Sequence, residues 1–150
     1  MMKRYIAYIF SMFFLAGCGE KEQVIQIQHG ETGNVLEEFS VEKNDEIALS
    51  WVHSVEQTPW TDVFTITENC PLLLTETRFQ SFGAGVEHQY EDISHEDGTY
   101  TARGLNECHD SVNWIHSHDA EHTVTINRVE EVDTASLPHH EPLRITIEER

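Results

Sequence analysis

The sequence predicts an all-β protein, a single antiparallel β-sandwich or small barrel of about eight or nine strands that follows an N-terminal export signal. Over residues 24–150, apolar side chains alternate with polar ones or form short blocks, and no segment keeps helical spacing over three turns. Clusters of Gly, Pro, Asn and Asp interrupt these segments at the intervals typical of short strands. Both observations favour strands throughout the folded part.

The first five candidate strands are joined by turns rich in Gly, Asn and Pro, residues that favour chain reversal. HGETGN at 29–34 separates the first two, and ENCP at 68–71 separates the fourth from the fifth. In chain order, these strands are Gln23–Gln28, Val35–Val41, Glu46–Val55, Trp60–Thr67 and Leu72–Gln80.

The remaining candidate strands follow FGAG at 82–85 and HEDG at 95–98. They are Thr99–Arg103, Ser111–Ser117, His122–Val129 and Pro142–Glu148. Residues 133–142 are predicted to be a surface loop. The acids Glu91, Asp92, Glu96 and Asp97 do not match the register of an EF-hand, so we expect a solvated acidic loop that ends in an Asp-Gly turn.

The N-terminus carries the most informative local pattern. Lys3 and Arg4 precede the apolar stretch 5–15, which is shorter than the ~20 residues needed to span a bilayer. Small residues then precede Cys18, as in a secretory signal. The tetrapeptide LAGC at 15–18 resembles the lipobox of bacterial lipoproteins, in which the cysteine is acylated and becomes the first residue of the mature chain.

This resemblance implies how the chain is divided and where in the cell the protein is located. Residues 1–17 are the signal peptide, residues 18–23 are the lipidated cysteine and its spacer, and residues 24–150 form one all-β domain. We therefore expect an extracytoplasmic protein that is lipid-anchored to a bacterial membrane. Gly19 after the cysteine implies the outer membrane, facing the periplasm. The alternatives are an ordinary signal peptide cleaved elsewhere and an uncleaved N-terminal anchor.

The folded part is strongly acidic. The sequence has 9 Lys and Arg against 27 Asp and Glu, a net charge of −18. Cleavage removes two of the basic residues, Lys3 and Arg4, and none of the acidic ones, so the net charge becomes 7 minus 27, or −20. Such a field repels phosphate backbones and anionic headgroups, so we expect no nucleic-acid partner. A solvated surface explains most of this charge.

Cys70 and Cys108 are the two cysteines that remain once Cys18 is acylated. In an oxidising compartment they are a candidate disulfide. Both occur in turn-like contexts, ENCP and NECHD, where two loops can meet. The alternative is two independent buried thiols.

Two segments repeat each other loosely, WVHSVE at 51–56 and WIHSHD at 114–119. On a regular strand, Trp51, His53 and Val55 share one face. The flanking residues do not match, so we favour shared packing or coincidence over an internal repeat.

Ten histidines raise the possibility of a metal site. His116 and His118 are two residues apart on one predicted face, and His53 or His122 on a neighbouring strand is a candidate third ligand for zinc or copper. HSVE is not itself a ligand motif, because His53 and Glu56 fall on opposite faces of a strand. We favour the interpretation that these histidines are surface or hydrogen-bonded core residues, and we expect no metal and no other cofactor; the metal site is the alternative.

Nothing in the sequence identifies a reaction. SFGAG at 81–85 is not a phosphate-binding loop, because no Lys and no helix start follow the glycines. Ser81 lies outside the frame of a nucleophile elbow. We therefore expect a protein that is not an enzyme, with Gly83 and Gly85 in a chain reversal.

The ordered set WVHSVEQTPW, then ETRFQSFGAG at 76–85, then the acidic turn at 97–98, resembles the domain of unknown function family 1850 over about residues 39–128. The motif residues are His53, Ser54, Val55, Glu56, Pro59, Glu76, Thr77, Ser81, Gly83, Ala84 and Gly85. This chain departs from the pattern at Val86 and Glu87, where related sequences continue with Leu-Pro. The resemblance implies a small extracytoplasmic protein associated with tripartite ATP-independent periplasmic (TRAP) transporters of the TAXI type.

Glu56 and Glu76 are acids in segments otherwise rich in apolar residues, and a buried carboxylate needs a partner. We hypothesise one polar patch; a separation above roughly 12 Å between Glu56 and Gly83 would exclude it. Its candidate members are His53, Ser54, Glu56, Glu76, Ser81, Gly83 and Gly85. The alternative is that the motif is a folding signature.

Two functions follow as expectations. The first is a membrane-tethered, non-enzymatic accessory or binding module whose partner is a TRAP transporter subunit or a solute. The second is a histidine-rich lipoprotein that binds zinc or copper.

Overall fold

A computed structural model describes residues 22–83, 90–130 and 132–150 of the protein. The predicted signal peptide, Cys18 and Gly85 lie outside the described residues. Within them the chain forms eleven strands and two single-turn 3₁₀ helices, His118–Ala120 and Thr134–Ser136. The strands are β1 Gln23–His29, β2 Val35–Val41, β3 Glu46–Val52, β4 Pro59–Thr65, β5 Leu72–Phe79, β6 Asp92–Glu96, β7 Thr99–His109, β8 Val112–Ile115, β9 Thr123–Ile126, β10 Val129–Glu130 and β11 Pro142–Glu149.

The described strands form two antiparallel sheets. The smaller sheet has the order β2-β1-β11-β8, and the larger has the order β10-β9-β3-β4-β5-β7-β6. The all-β prediction is confirmed, and the sheets form a sandwich that is not closed into a barrel. No described helix is long and apolar enough to cross a membrane.

One hydrophobic cluster joins the two sheets. The alternating residues Ile25 and Ile27 of β1 pack with Leu143 of β11, and all three are almost fully buried. Across the sandwich, β3 contributes Ile47 and Leu49 to the same cluster. Each fully buried side chain of this size stabilises the fold by about 1.5–3 kcal/mol, so the interface between these faces holds the sheets together.

A row of aromatic side chains runs across the larger sheet. Trp51, Trp60, Phe79 and Tyr100 are directly paired on β3, β4, β5 and β7. Their successive ring centroids are 5.9, 5.2 and 5.6 Å apart. The row ends on β6, where His95 stacks on Tyr100 at 4.1 Å. Cross-strand aromatic pairs therefore connect β3, in the interior of the sheet, to the edge strand β6.

The prediction of an acidic loop over residues 91–97 was wrong for most of its length, because Asp92–Glu96 is an edge strand. Ile93 pairs with Ala102 of β7, and His95 pairs with Tyr100. These two residues alternate with acidic and polar ones, as in a strand. The predicted Asp97-Gly98 turn joins β6 to β7, and both residues have positive φ, 48° and 79°. This is the backbone of a two-residue hairpin.

Other boundaries moved for local reasons. β7 continues to His109, well beyond the predicted end at Arg103, because it pairs along the length of β5. Cys108 is therefore on a strand, not in the turn predicted for it. β3 ends at Val52 and β8 at Ile115, so both repeat segments leave the strand before their histidines.

The segment predicted as a surface loop, 133–142, is only partly exposed. Leu137 is buried and belongs to the hydrophobic core cluster, as does the preceding Val132. The 3₁₀ helix Thr134–Ser136 lies between these two anchors, and the side chain of Asp133 accepts a hydrogen bond from the Ala135 amide at its start. This connection therefore packs against the sandwich.

Candidate functional site

The connection from β3 to β4 is a tight turn built from the sequence HSVEQT. The His53 amide donates to the Thr58 carbonyl, and the Gln57 amide donates to the His53 carbonyl, both at 2.9 Å. Gln57 has a φ of 53°, which the reversal requires. The Glu56 amide lies 3.3 Å from Nδ1 of His53. The turn leaves Val55 at its tip, 67% exposed, and turns Glu56 inward.

The segment that follows β5 contacts this turn. Ser81 Oγ donates a hydrogen bond to Glu56 Oε2 at 3.0 Å. Gly83 lies directly against the Glu56 side chain, since a Cβ added at Gly83 would sit 2.6 Å from Glu56 Cγ. Glu56 and Gly83 therefore meet, well inside the limit set for a shared patch. A side chain at Gly83 would meet the flexible end of the Glu56 side chain, which would have to move aside. The φ of Gly83 is not in the left-handed range, so the obstacle is this contact and not the backbone conformation.

Replacement Gly83→Ala is expected to displace Glu56 and break its bond with Ser81. Because the obstructing atoms are the end of a flexible side chain, the expected cost is that of the lost hydrogen bond, about 0.5–1.5 kcal/mol of unfolding free energy, measured by urea denaturation. The matched control is the same substitution in a Glu56→Ala background, where the clash is gone and the added cost should fall to nearly zero. An equal cost in both backgrounds would show that Glu56 does not restrict Gly83.

We define the motif surface as His53, Val55, Glu56, Ser81, Phe82 and Gly83. Phe82 is 39% exposed, and its ring contacts Phe79 at 5.1 Å and Tyr100 at 4.6 Å. The His53 ring packs on Trp60 at 5.9 Å. The aromatic row thus supports the motif surface from beneath, while Val55 and Phe82 present apolar groups to solvent.

Glu76 does not join this surface, so its predicted convergence was wrong. It pairs with Arg78 and with Arg103, whose Nε lies 3.0 Å from Glu76 Oε2. Side chains alternate along β5, which places Glu76 on the face opposite Thr77. Its partners on that face are two exposed arginines, which pair with the carboxylate away from the motif surface. Gly85 belongs to the residues that the structure does not describe.

A groove with a volume of about 620 Å³ lies on the other side of the turn. The two loosely repeated segments line it, with Trp51, His53 and Ser54 from one and Ile115, Ser117 and Asp119 from the other, and the nearby Gln57 and His122 complete the lining. Ile115 is 61% exposed. Of the described lining residues, none is Lys or Arg, and Asp119 is the one carboxylate. The groove therefore brings the two repeated segments together.

The four predicted metal ligands do not form one cluster in the structure. His53 belongs to the turn, whereas His116, His118 and His122 lie near one another, with the rings of His118 and His122 5.2 and 5.4 Å from that of His116. His116 is only 1% exposed. Its two ring nitrogens lie within hydrogen-bond distance of Trp114 Nε1, at 3.4 Å, and of the Thr134 carbonyl, at 3.0 Å. His116 is thus held inside the protein by its own partners.

Burial disfavours protonation of His116 and His122. Burial lowers the pKa of His116, with a smaller opposing effect of its bond to the Thr134 carbonyl. Burial likewise lowers the pKa of His122, against its bond to the Ser117 carbonyl. Both imidazoles are therefore neutral near pH 7.

The sequence-based interpretation missed Asp62, a largely buried acid on β4. Its Oδ1 accepts hydrogen bonds from Thr77 Oγ1 at 2.6 Å and from Trp60 Nε1 at 2.9 Å. Burial raises the pKa of Asp62 despite these two bonds. Its position two residues from both Trp60 and Phe64, on the same face of an apolar strand, was the available signal.

We expect Asp62→Asn to stabilise the protein more at pH 7 than at pH 3.5. The side-chain oxygen of the new asparagine can accept the same two hydrogen bonds, and the substitution removes the buried negative charge. A raised folded-state pKa means that the carboxyl favours folding when protonated, and that this contribution is lost as pH rises through the folded-state pKa. Urea denaturation at both pH values checks this, with exposed Asp92→Asn as the control for loss of one charge. A gain that is equal at the two pH values would contradict the account.

The sequence model of the family DUF1850, described as a domain of unknown function, matches residues 47–131. This range includes the β3–β4 turn, the segment after β5 and both walls of the groove. No curated protein and no solved structure matches the chain.

Proposed function

This chain belongs to the DUF1850 family, and from its own surface we propose that it is a non-enzymatic accessory or binding module on the extracytoplasmic side of a bacterial membrane. Lipid on Cys18 tethers it, and the motif surface docks a subunit of a TRAP-type solute uptake system. The transporter class comes from the family resemblance, and the docking surface comes from the geometry.

The observation that carries the proposal is the meeting of two distant motif segments around Glu56. Ser81 and Gly83 contact a side chain that is 25 or more residues away in the sequence. These contacts hold Val55 and Phe82 in place, and both expose large apolar groups. A partner protein that covers these two side chains would remove their apolar surface from water, which is the contribution to binding that the proposal assigns to them.

The bonding at this surface favours binding over hydrolysis. Among the described residues, the Ser81 hydroxyl donates to the Glu56 carboxylate, and His53 Nδ1 faces the Glu56 amide. The serine-to-histidine hydrogen bond that hydrolases use is not formed between Ser81 and His53. Glu56 thus serves to connect the two segments.

The tether restricts the partner. β1 begins at Gln23, five residues after Cys18, and five extended residues reach less than about 20 Å. The domain therefore works close to the membrane that holds its lipid. Cys18→Ala is expected to abolish incorporation of labelled palmitate and to leave the signal peptide uncleaved; continued labelling of the variant would contradict the anchor.

Docking is tested by co-purification from native membranes with TRAP transporter subunits as the defined targets. Wild-type protein should retain a subunit, and Val55→Asp should lose it, because a charge at the tip of the turn opposes apolar contact. The matched control is Val35→Asp on β2 of the smaller sheet, at a residue that is 49% exposed and does not belong to the motif surface. Equal retention by both variants would contradict docking through the motif surface.

A further inference from the structure

A second group of chemically active side chains lies at the edge of the groove. β8 leads into the 3₁₀ helix His118–Ala120, and the chain before β11 passes beside it. Ligand atoms of Asp119, His139 and His140 lie within 4.8 Å of one another, and all three residues are exposed. The three residues come from two segments about twenty residues apart.

The backbone holds these two segments together. The His140 amide donates to the His116 carbonyl at 2.8 Å, and the His118 amide donates to His139 Nδ1 at 3.1 Å. His140 has a φ of 61°, and its ring stacks on that of His139 with centroids 3.6 Å apart. The Asp119 amide donates to Ser117 Oγ at 3.2 Å, which caps the 3₁₀ helix. The three side chains are thus presented by an ordered backbone.

We propose that Asp119, His139 and His140 bind one divalent transition-metal ion, for which zinc is the probe. Two imidazoles and one carboxylate form a donor set that zinc uses in proteins, with the fourth position left to water. The strongly acidic chain favours binding of a cation. This set shares no residue with the ligands predicted from the sequence.

The predicted set is less suited to an ion. Both ring nitrogens of His116 face partners within the protein, and His118 Nε2 lies 3.0 Å from the Leu137 carbonyl. In the proposed set, only His139 Nδ1 has such a bond, to the His118 amide. In this hydrogen bond Nδ1 of His139 is the acceptor, so the proton of the neutral ring is on Nε2. A metal ion needs an unprotonated ring nitrogen, and its binding therefore replaces the hydrogen bond from the His118 amide. The exposed side chains can close the remaining distance by changing rotamer.

The test is zinc titration by calorimetry on the mature, lipidated chain without an affinity tag at pH 7.5. One equivalent should bind to wild type, and Asp119→Asn, His139→Gln and His140→Gln should each weaken affinity at least about tenfold. The matched controls are His122→Gln, from the predicted set, and His95→Gln, on β6; both should bind zinc as wild type does.

Nuclear magnetic resonance supplies a second readout that does not depend on stability. Zinc should shift the imidazole signals of His139 and His140, and acidification should release the ion as protons compete for the ligands. The proposal is overturned if His139→Gln and His140→Gln bind as wild type does, if His122→Gln alone abolishes binding, or if affinity is weaker than about 100 μM. Loss of transporter co-purification would leave these results unaffected.

Discussion

Removal of the Cys70–Cys108 disulfide is expected to lower the unfolding free energy by about 4 kcal/mol. The two residues are 38 apart in the sequence and are joined in the structure. The bond links the turn before β5 to the end of β7, next to Leu72, which is fully buried. In the chain-entropy model, a loop of this length restricts the unfolded state strongly.

The measurement is urea denaturation of the double variant Cys70→Ala/Cys108→Ala. Wild-type protein treated with reductant is the matched control, and its loss of stability should agree with that of the double variant. A loss below about 1 kcal/mol in both would show that the cross-link contributes little, and a loss in the variant alone would point to packing of the buried Cys70.

Phe79→Ala is expected to cost about 3–5 kcal/mol of unfolding free energy. Phe79 is almost fully buried at the centre of the aromatic row, and its ring contacts those of Trp60, Tyr100 and Phe82. Its loss leaves a cavity and removes the support of Phe82. The motif surface should therefore lose order along with global stability.

Urea denaturation measures the global cost, and proteolysis near residue 82 under native conditions measures the local one. Phe79→Leu is the control, since it fills most of the volume and should cost about half as much or less. Equal effects of both substitutions would indicate that ring stacking matters more than volume. A cost below about 1 kcal/mol for Phe79→Ala would contradict the role given to the row.

Most strands were predictable because one face of each is buried. The alternation of Ile25 and Ile27 and of Leu143 and Ile145 follows directly from two sheets that cover one core. Strand β6 was hidden because its acids face solvent and only Ile93 and His95 follow the alternation. Pairing partners determined the length of β7, and a single sequence does not display strand partners.

The candidate site was predictable in part, and the two glutamates show why. Glu56 lies in a turn, and its contact with Gly83 agrees with the hypothesis of convergence. Glu76 lies on a strand two residues before Arg78, so the two share a face and pair there. That spacing was visible in the sequence. The pairing of Asp119 with His139 and His140 was not, because it depends on how two loops pass each other.

Site-specific photo-cross-linking from Val55 tests docking through the motif surface most directly. A photoreactive amino acid replaces Val55 in the lipidated protein, in native membranes that contain the transporter, with Val35 as the control position. The account predicts an adduct with a TRAP transporter subunit from position 55 and none from position 35. An adduct from position 35 alone, or none from position 55 with the transporter present, would contradict it.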